Sequence, residues 1–421
     1  MQRKYLPRIA DKTLGKALAV SGAVLIEGSK WCGKTRTAMQ KAKSVLSMQD
    51  PDEYESNMRI AEIKPSLLLE GAVPRLLDEW QTAPILWDAV RYTVDKRGKK
   101  GQFILTGSAV PLDNATLHTG TGRISRLQMR TMSLFESQYS NGKVSLQELF
   151  DGCENVECKS ELSVDDVARC LASGGWPESV GESEAVALDS VASYIEAVVN
   201  YDVSRVDGVE KNPRRVVALL KSYARNISTM AANSTIIADM SADDKTISPK
   251  TTASYLNALE RIHLIEDLPA WNPSMRSKTA LRTSAKRHFG DPSIAVSLLS
   301  ANSKTLLKDF NTFGLLFESL CVRDLRIYSQ SLGGEVFHYR DKNGLEADAV
   351  VHLRDGRWCA AEVKMGNKEI EEAAIHLLKL REVINTDKMR EPSFLIILTA
   401  GQYAYRRLDG VFVVPIGCLK D

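Results

Sequence analysis

The feature that most constrains this chain is an eight-residue segment at positions 28–35, Gly-Ser-Lys-Trp-Cys-Gly-Lys-Thr. It matches the pattern GxxxxGK[ST] at every specified position. The apolar run before it, 22–27 (GAVLIE), predicts a buried strand, and 34–45 predicts a helix after it. Glycines in such a loop let backbone N–H groups turn toward a phosphate, and the helix start adds partial positive charge. The segment therefore predicts a phosphate-binding loop.

The predicted ligand of this loop is ATP, with Mg²⁺ as its cofactor. We expect Lys34 to reach the β and γ phosphates and the Thr35 hydroxyl to bind Mg²⁺. The loop backbone supplies the remaining contacts. The predicted nucleotide-binding residues are Gly28, Ser29, Lys30, Trp31, Cys32, Gly33, Lys34 and Thr35.

A second apolar run, 75–79 (RLLDE), ends in two carboxylates. At the end of a buried strand, Asp78 is placed to hold the hydrated Mg²⁺. Glu79, the next residue, is placed to act as the catalytic base that polarises the attacking water. The other interpretation is a charged strand end that faces solvent.

Three further polar residues follow the predicted strand 102–106 (QFILT). Ser108, after Gly107, is a candidate catalytic sensor of the γ-phosphate or the water, or else a turn residue. Arg123 and Arg126 lie in the segment GRISR. Either arginine is a candidate catalytic finger that stabilises the transferred charge. Both are equally compatible with solvated surface arginines.

Composition excludes several classes of protein. The 421 residues carry a formal net charge of +2, so a nucleic-acid partner would need a local basic face. The seven cysteines are odd in number and scattered, which favours reduced thiols over a disulfide framework. The sequence contains no apolar run that approaches the ~18 residues of a membrane span. We therefore expect a cytoplasmic protein with no membrane partner.

Alternating strands and helices predict an α/β fold with a parallel sheet in residues 1–150. Helical spacing at Leu86 to Asp95 adds one of its helices. Residues 151–300 are predicted to be mainly helical. Residues 301–421 form a last α/β block, with strands near Val336, 347–352 and 360–363.

Several segments together resemble a group of prokaryotic AAA-type P-loop ATPases. They are YLPRI, the loop itself, LLDEWQ, ILWDAVR, FILTGS, GRISRL, GGWPE and DPSIA. Proteins of this group carry a C-terminal domain of unknown function with a restriction-endonuclease-like, or PD-(D/E)xK nuclease-like, core. The resemblance covers nearly the whole chain and implies ATP hydrolysis and a three-part layout.

The middle segment resembles a winged helix-turn-helix. Helices are predicted at 213–225, 234–240 and 248–262, with Ser248 as the N-cap of the last one and a wing strand at 264–268. As a DNA-binding module it would offer few cations for contact with the phosphates. A packing module between domains is the alternative. The candidate DNA-facing residues are Lys245, Lys250, Thr251, Thr252 and Asn257.

The C-terminal block contains the D…ExK pattern of PD-(D/E)xK nucleases. Asp348 and Glu362 would converge to hold a second divalent cation, while Lys364 orients the hydrolytic water. Glu318 resembles the acid that these folds often add. If this interpretation holds, the two carboxylates lie close together and open to solvent. Its alternative is a set of cross-strand ion pairs.

Three functions remain open on this sequence. The first is an ATPase whose turnover drives a nuclease-like domain that acts on DNA or RNA. The second is a nucleotide-gated switch with a C-terminal docking module, and the third is a metal-dependent nuclease regulated by ATP. Because an arginine finger can come from a neighbouring subunit, a homo-oligomer is also open.

Overall fold

The computed structural model of the chain describes residues 4–107, 120–241, 247–273, 284–384 and 389–421. The chain divides into two compact units, each assembled from segments that are distant in sequence. Unit 1 contains Met1–Thr131, Asn200–Lys211 and Asn257–Leu264, and unit 2 contains Met132–Val199, Asn212–Leu256 and Ile265–Asp421. The predicted three-part division at 150 and 300 remains a prediction.

The α-helices in the described part of the chain vary from three to 22 residues. They are α1 (Ile9–Val20), α2 (Lys34–Met39), α3 (Tyr54–Ile63), α4 (Ile85–Arg97), α5 (Leu146–Phe150), α6 (Val164–Ser173), α7 (Glu184–Ala197), α8 (Val203–Arg205), α9 (Pro213–Arg225), α10 (Asn233–Ser241), α11 (Pro249–Arg261), α12 (Pro292–Leu298), α13 (Ser303–Leu306), α14 (Phe310–Ser331) and α15 (Ile370–Val383). Short 3₁₀ turns lie at Pro65–Leu69, Trp80–Thr82, Asn367–Glu369 and Ile416–Cys418, and a π turn lies at Val198–Asp202.

The strands of the described residues form three sheets. They are β1 (Ala23–Glu27), β2 (Ser44–Ser47), β3 (Arg75–Asp78), β4 (Phe103–Gly107), β5 (Ile124–Gln128), β6 (Val144–Ser145), β7 (Cys158–Lys159), β8 (Gly334–Arg340), β9 (Glu346–Leu353), β10 (Trp358–Lys364), β11 (Phe394–Thr399), β12 (Tyr403–Arg406), β13 (Phe412–Pro415) and β14 (Leu419–Lys420).

Unit 1 is built on a five-stranded parallel sheet in the order β2-β3-β4-β1-β5. Alternate residues of the central strands point to opposite faces, and both faces are apolar. One face packs with residues of α3 and α4, such as Val90, and the other with residues of α1 and α2, such as Leu14. Because the sheet is buried on both faces, the positions of its strand ends are fixed, and so are the starting points of the loops that follow them.

Two predicted elements of unit 1 differ from the structure. The helix expected over 34–45 ends at Met39, because residues 44–47 pair in parallel with β3 and form the edge strand β2. The strand expected over 75–79 ends at Asp78, because Glu79 adopts a left-handed conformation with φ 56°. The predicted strands at 22–27 and 102–106 and the helix from Leu86 are otherwise confirmed as β1, β4 and α4.

Unit 2 contains a seven-stranded mixed sheet in the order β7-β12-β13-β11-β10-β9-β8. Helix α15 covers one side, where Leu377 and Ala373 pack with Val350 and Trp358 of the sheet. Helix α14 packs against β8, β9 and β10. β6 and β14 form a separate parallel pair.

The predicted middle helices are present as α9, α10 and α11. The Ser248 hydroxyl accepts a hydrogen bond from the backbone N–H of Thr251, which confirms the predicted N-cap. Thr252 is only 1% exposed, so the expectation that it faces DNA is wrong. Lys245 lies outside the described residues. The expected wing strand is reduced to isolated bridges at Ile265 and Leu268, so the winged helix remains a prediction.

The motifs GGWPE and DPSIA meet in a buried polar network of unit 2. Asp291 accepts hydrogen bonds from the Gly175 backbone N–H at 2.9 Å and from Arg323 at 3.0 Å. The Trp176 indole N–H donates to Ser293 Oγ at 3.0 Å. A Cβ on Gly175 would lie 2.1 Å from the Met132 carbonyl oxygen, which explains why glycine stands there. These motifs therefore maintain the packing of the unit.

None of the helices in the described part of the chain is both long enough and apolar enough to cross a membrane. All seven cysteines are free thiols, as the sequence predicts.

Candidate functional site

The loop at 28–35 joins β1 to α2 at the carboxyl end of the parallel sheet. Gly28 has φ 156°, and a Cβ at this position would lie 2.0 Å from the Met129 carbonyl oxygen. Gly33, which precedes α2, is left-handed with φ 97°. Trp31 is also left-handed, and its side chain is 54% exposed. The two glycines are therefore required by the path of the loop.

Lys34 begins α2 and is 6% exposed. Its ammonium group donates hydrogen bonds to the carbonyl oxygens of Gly28 at 2.9 Å and Ser29 at 2.8 Å. Both acceptors are uncharged, so these bonds hold the ammonium group at the loop without neutralising it. This position suits contact with a phosphate bound by the loop.

Thr35 and Asp78 lie next to each other, as their predicted roles require. The Thr35 hydroxyl donates to Asp78 Oδ1 at 2.7 Å, and the Thr106 hydroxyl donates to the same oxygen at 2.6 Å. Asp78 of β3 and Thr106 of β4 are register partners in the sheet, which explains the second contact. A hydroxyl beside a carboxylate offers the oxygen ligands that Mg²⁺ prefers, so these residues fit the ion.

Glu79 follows β3 directly and is the N-cap of the 3₁₀ turn Trp80–Thr82. Left-handed conformations of residues other than glycine are uncommon and recur at functional sites. Burial raises the pKa of the Glu79 carboxyl, whereas Lys34 and a hydrogen bond from Gln81 lower it. The charged groups that act on Glu79 are Lys34, Asp78 and Lys30, so this carboxylate belongs to the electrostatic environment of the loop.

The two arginines of GRISR are held by ion pairs within unit 1. Arg123 pairs with Asp95 at 2.8 Å and precedes β5, at the end of the sheet opposite the loop. Arg126 pairs with Glu27 at 3.0 Å and lies over the Trp87 ring. Because Glu27 immediately precedes Gly28, Arg126 is nearer the loop. The finger role of either arginine remains a prediction. Ser108 lies outside the described residues.

Two residues that no motif predicted as functional, Arg8 and Tyr5, contact the loop and the helix that follows it. The buried Arg8 guanidinium donates to the carbonyl oxygens of Cys32 at 2.8 Å and Arg130 at 2.9 Å. The Tyr5 hydroxyl donates to Asp11 at 2.7 Å and lies 3.0 Å from the Thr37 hydroxyl of α2. The segment YLPRI carried the signal, but it served only as a mark of resemblance.

In unit 2, Glu318 and Asp348 share one buried cation, Lys286. The Lys286 ammonium lies 2.7 Å from Glu318 Oε1 and 3.0 Å from Asp348 Oδ1. The other oxygen of Asp348 accepts a hydrogen bond from the Val363 backbone N–H at 2.9 Å, which ties β9 to β10. Lys286 belongs to no motif in the sequence analysis, and its place in this cluster follows only from the fold.

The remaining members of this ionic cluster are Glu362 and Lys364, which pair with each other at 2.9 Å. Burial raises the pKa of Glu362 to about 8, and burial together with Asp348 raises that of Glu318 to about 8. Burial acts in the same direction on Asp348, but Lys286 and Lys364 outweigh it and lower its pKa. The three carboxyl groups exceed the two ammonium groups by one.

The expectation that Asp348 and Glu362 are open to solvent is wrong. Their side chains are 15% and 5% exposed, and each pairs with a lysine. In the part of the chain that the structure describes, no group of three or more His, Cys, Asp or Glu side chains is arranged to hold a metal ion. The role of these residues in binding a cation remains a proposal.

Three family models match successive parts of the chain. Residues 20–138 match an AAA domain, which agrees with the geometry of the loop and its parallel sheet. Residues 164–305 and 313–419 match two domains of unknown function, DUF8612 and DUF4143. The first match and the loop geometry identify a P-loop ATPase-like domain in unit 1. Neither of the other two descriptions assigns a nuclease or a winged helix.

The chain is also similar to whole proteins. Uncharacterized proteins of Mycobacterium tuberculosis and Mycobacterium bovis are each 24% identical over 371 residues, which cover 85% of this chain and 73% of theirs. A Walker-type ATPase of Pyrococcus abyssi is 12% identical, with a TM-score of 0.41 over 70% of this chain and 96% of that one. A signal transduction ATPase with numerous domains from Pyrococcus horikoshii gives 12% identity and a TM-score of 0.21, over 77% of this chain and 50% of its own.

Proposed function

We propose that this protein binds ATP with Mg²⁺ at the loop of unit 1 and hydrolyses it. The observation that carries the proposal is the contact of 2.7 Å between Thr35 and Asp78, beside a lysine whose ammonium group donates to two carbonyl oxygens. A hydroxyl, a carboxylate and an ammonium group are the side chains that bind Mg²⁺ and triphosphate.

Each residue has one task in this proposal. Lys34 binds the β and γ phosphates, and Thr35 and Asp78 hold Mg²⁺, which neutralises charge on the phosphates when bound. Glu79 accepts a proton from the attacking water. Its placement next to Asp78 puts the base and the metal ligand on consecutive residues at one strand end.

ATP turnover in this proposal drives a change in unit 2. The partner suggested by the D…ExK pattern is DNA or RNA. Arg126, which is nearer the loop than Arg123, is the better candidate for a finger. A finger that acts on the nucleotide of a neighbouring copy would make the protein a homo-oligomer.

A second candidate function is metal-dependent cleavage of nucleic acid by unit 2. The observation that favours it is the ionic cluster, where Asp348, Glu362 and Lys364 lie on the adjacent strands β9 and β10 with one carboxyl in excess. In this candidate a second divalent cation binds Asp348 and Glu362, with Glu318 beside them. The ion pairs to lysines oppose it, since they must open before a cation binds.

The test of the ATPase proposal is phosphate release from ATP by the purified full chain, with and without Mg²⁺. We expect Mg²⁺-dependent release that Lys34→Ala abolishes, because this variant removes the cation at the phosphates. An exposed lysine of the same unit, Lys16→Ala, is the matched control and should keep wild-type release. ATP binding without release would instead favour the nucleotide-gated switch. The absence of both would overturn the proposal.

A further inference from the structure

Gln81 makes a close contact with the proposed catalytic base. It lies in the 3₁₀ turn Trp80–Thr82, and this turn directly follows Glu79. Its side-chain Nε2 donates a hydrogen bond to Glu79 Oε2. Because a neutral amide carries no charge, this hydrogen bond orients the Glu79 carboxylate without neutralising it.

The other end of the Gln81 amide is unusual. Its Oε1 is buried and has no hydrogen-bond partner among the described residues. A buried acceptor left in this state costs about 1–3 kcal/mol, so most such atoms in folded proteins are paired. This cost would be removed if Oε1 accepted a hydrogen bond from a ligand or a water.

The position of this oxygen agrees with such a role. A Cβ on Gly107 would lie 2.6 Å from Gln81 Oε1, so the amide oxygen faces the last residue of β4. The carboxyl ends of β3 and β4 are adjacent in the sheet, and Asp78 is paired there with Thr106. Gly107 thus leaves space for the Gln81 amide beside the residues that hold Mg²⁺ in the proposed function.

We propose that Gln81 orients the attacking water: its Nε2 fixes Glu79, and its Oε1 accepts one hydrogen of that water. This inference rests on the proposed ATPase function. The second hydrogen of the water passes as a proton to Glu79 while the water oxygen bonds to the γ-phosphorus. The bond from the γ-phosphorus to the bridging oxygen breaks, and ADP leaves with its electron pair. Two acceptors thereby direct the oxygen lone pair toward phosphorus.

The test compares Gln81→Met with Glu79→Gln and with the double variant. Methionine has nearly the same length and removes both polar atoms of the amide, so the fold should survive its burial. We expect kcat to fall by about 10²-fold in Gln81→Met, the lower range for general-base catalysis. The KM and Kd for ATP should change by less than about threefold, since Gln81 does not bind the phosphates.

Non-additivity separates this role from a structural one. In the Glu79→Gln background, Gln81→Met should lower kcat by less than about threefold. Gln81 acts together with the Glu79 carboxylate, and that carboxylate is already absent in this background. Gln102→Met is the matched control, since Gln102 is a buried glutamine at the opposite end of β4 and donates to the Lys99 carbonyl oxygen. It should keep the wild-type kcat.

Each outcome decides the inference. The inference is overturned if Gln81→Met keeps the wild-type kcat, or if its KM for ATP rises as much as its kcat falls. It is also overturned if adding Gln81→Met to Glu79→Gln lowers kcat by as much as it does in the wild type. If Glu79→Gln is slow while Gln81→Met is not, the ATPase proposal stands and only the role of Gln81 fails. If Glu79→Gln itself turns over at the wild-type rate, both the proposed base and this inference fail.

Discussion

The loop of unit 1 and the ionic cluster of unit 2 each bring lysines and carboxylates together, but they satisfy these charges differently. In the loop, Lys34 donates to carbonyl oxygens, and Asp78 accepts from two threonine hydroxyls. In the cluster, Lys286 pairs with Glu318 and Asp348. Lys34 and Asp78 are thus held by neutral partners, although Lys30 of the same loop pairs with Asp202 at 2.6 Å. The charged groups of the cluster are held by each other.

This difference decides where a charged ligand can bind with little reorganisation. A charge held by neutral groups keeps most of its attraction for a ligand of opposite sign. A buried ion pair must be broken first, and breaking one leaves an uncompensated charge that costs several kcal/mol. The comparison therefore supports the proposal that Mg²⁺ binds with the nucleotide in unit 1, where less reorganisation is needed than in the cluster of unit 2.

Besides the loss of release in Lys34→Ala, a large effect is expected at the loop from Glu79→Gln. The variant keeps the shape of the side chain but removes the base, so hydrolysis should slow by about 10²–10⁴-fold while ATP still binds. Phosphate release and equilibrium ATP binding, measured on the same preparations, check this. Glu53→Gln, an exposed residue of the same unit, should leave both unchanged. Equal turnover in wild type and Glu79→Gln would remove the base from this position.

In the cluster, Lys286→Met should act on stability. The change leaves Glu318 and Asp348 buried without their shared cation, and breaking a buried pair typically costs about 3–5 kcal/mol. Urea unfolding measures the loss. Lys342→Met, which changes an exposed lysine of unit 2, is the control and should alter the free energy of unfolding by less than about 0.5 kcal/mol. A small loss in Lys286→Met would show that the cluster does not depend on its pairs.

A smaller effect is a pH dependence of stability that originates in the cluster. The pKa of Glu318 is raised from 4.5 to about 8 in the folded state. Between these two pH values the folded chain therefore binds more protons than the unfolded chain. The free energy of unfolding should therefore fall as pH rises through this range, by at most about 1.4 kcal/mol per pH unit for one proton.

The measurement for this pH effect is urea unfolding between pH 6.5 and 8, above the range in which the buried His338 titrates with a pKa of about 4. Glu318→Gln keeps the hydrogen bond to Lys286 but cannot titrate, so its free energy of unfolding should vary less with pH than that of the wild type. If the free energy of unfolding varied equally with pH in the two proteins, the extra proton of the folded state would belong to another group.

The sequence predicted the loop well because its chemistry is local. A glycine-rich turn, its lysine and its threonine are contiguous, and Asp78 and Glu79 end an apolar run that is visible as a strand. The contact between Thr35 and Asp78 follows from the parallel order of the strands. Gln81 lay within the same motif, but its role depends on a left-handed Glu79, which the sequence did not indicate.

The cluster could be predicted only in part. The alternation of β9 and β10 singled out Asp348, Glu362 and Lys364, which lie on these adjacent strands. Lys286 comes from an irregular segment 62 residues before Asp348, and no periodicity connects the two. The sequence pattern does not show that Lys286 pairs with Glu318 and Asp348, so it led to the expectation of an open metal site, which is wrong in the structure.

The measurement that tests the central claim most directly is a titration of the full chain with Mn²⁺, with and without a non-hydrolysable ATP analogue. It is followed by electron paramagnetic resonance in the wild type, Asp78→Asn and Asp348→Asn. The account predicts one Mn²⁺ per chain that requires the analogue, is lost in Asp78→Asn and is retained in Asp348→Asn. Tight Mn²⁺ binding without nucleotide, lost in Asp348→Asn and retained in Asp78→Asn, would contradict it.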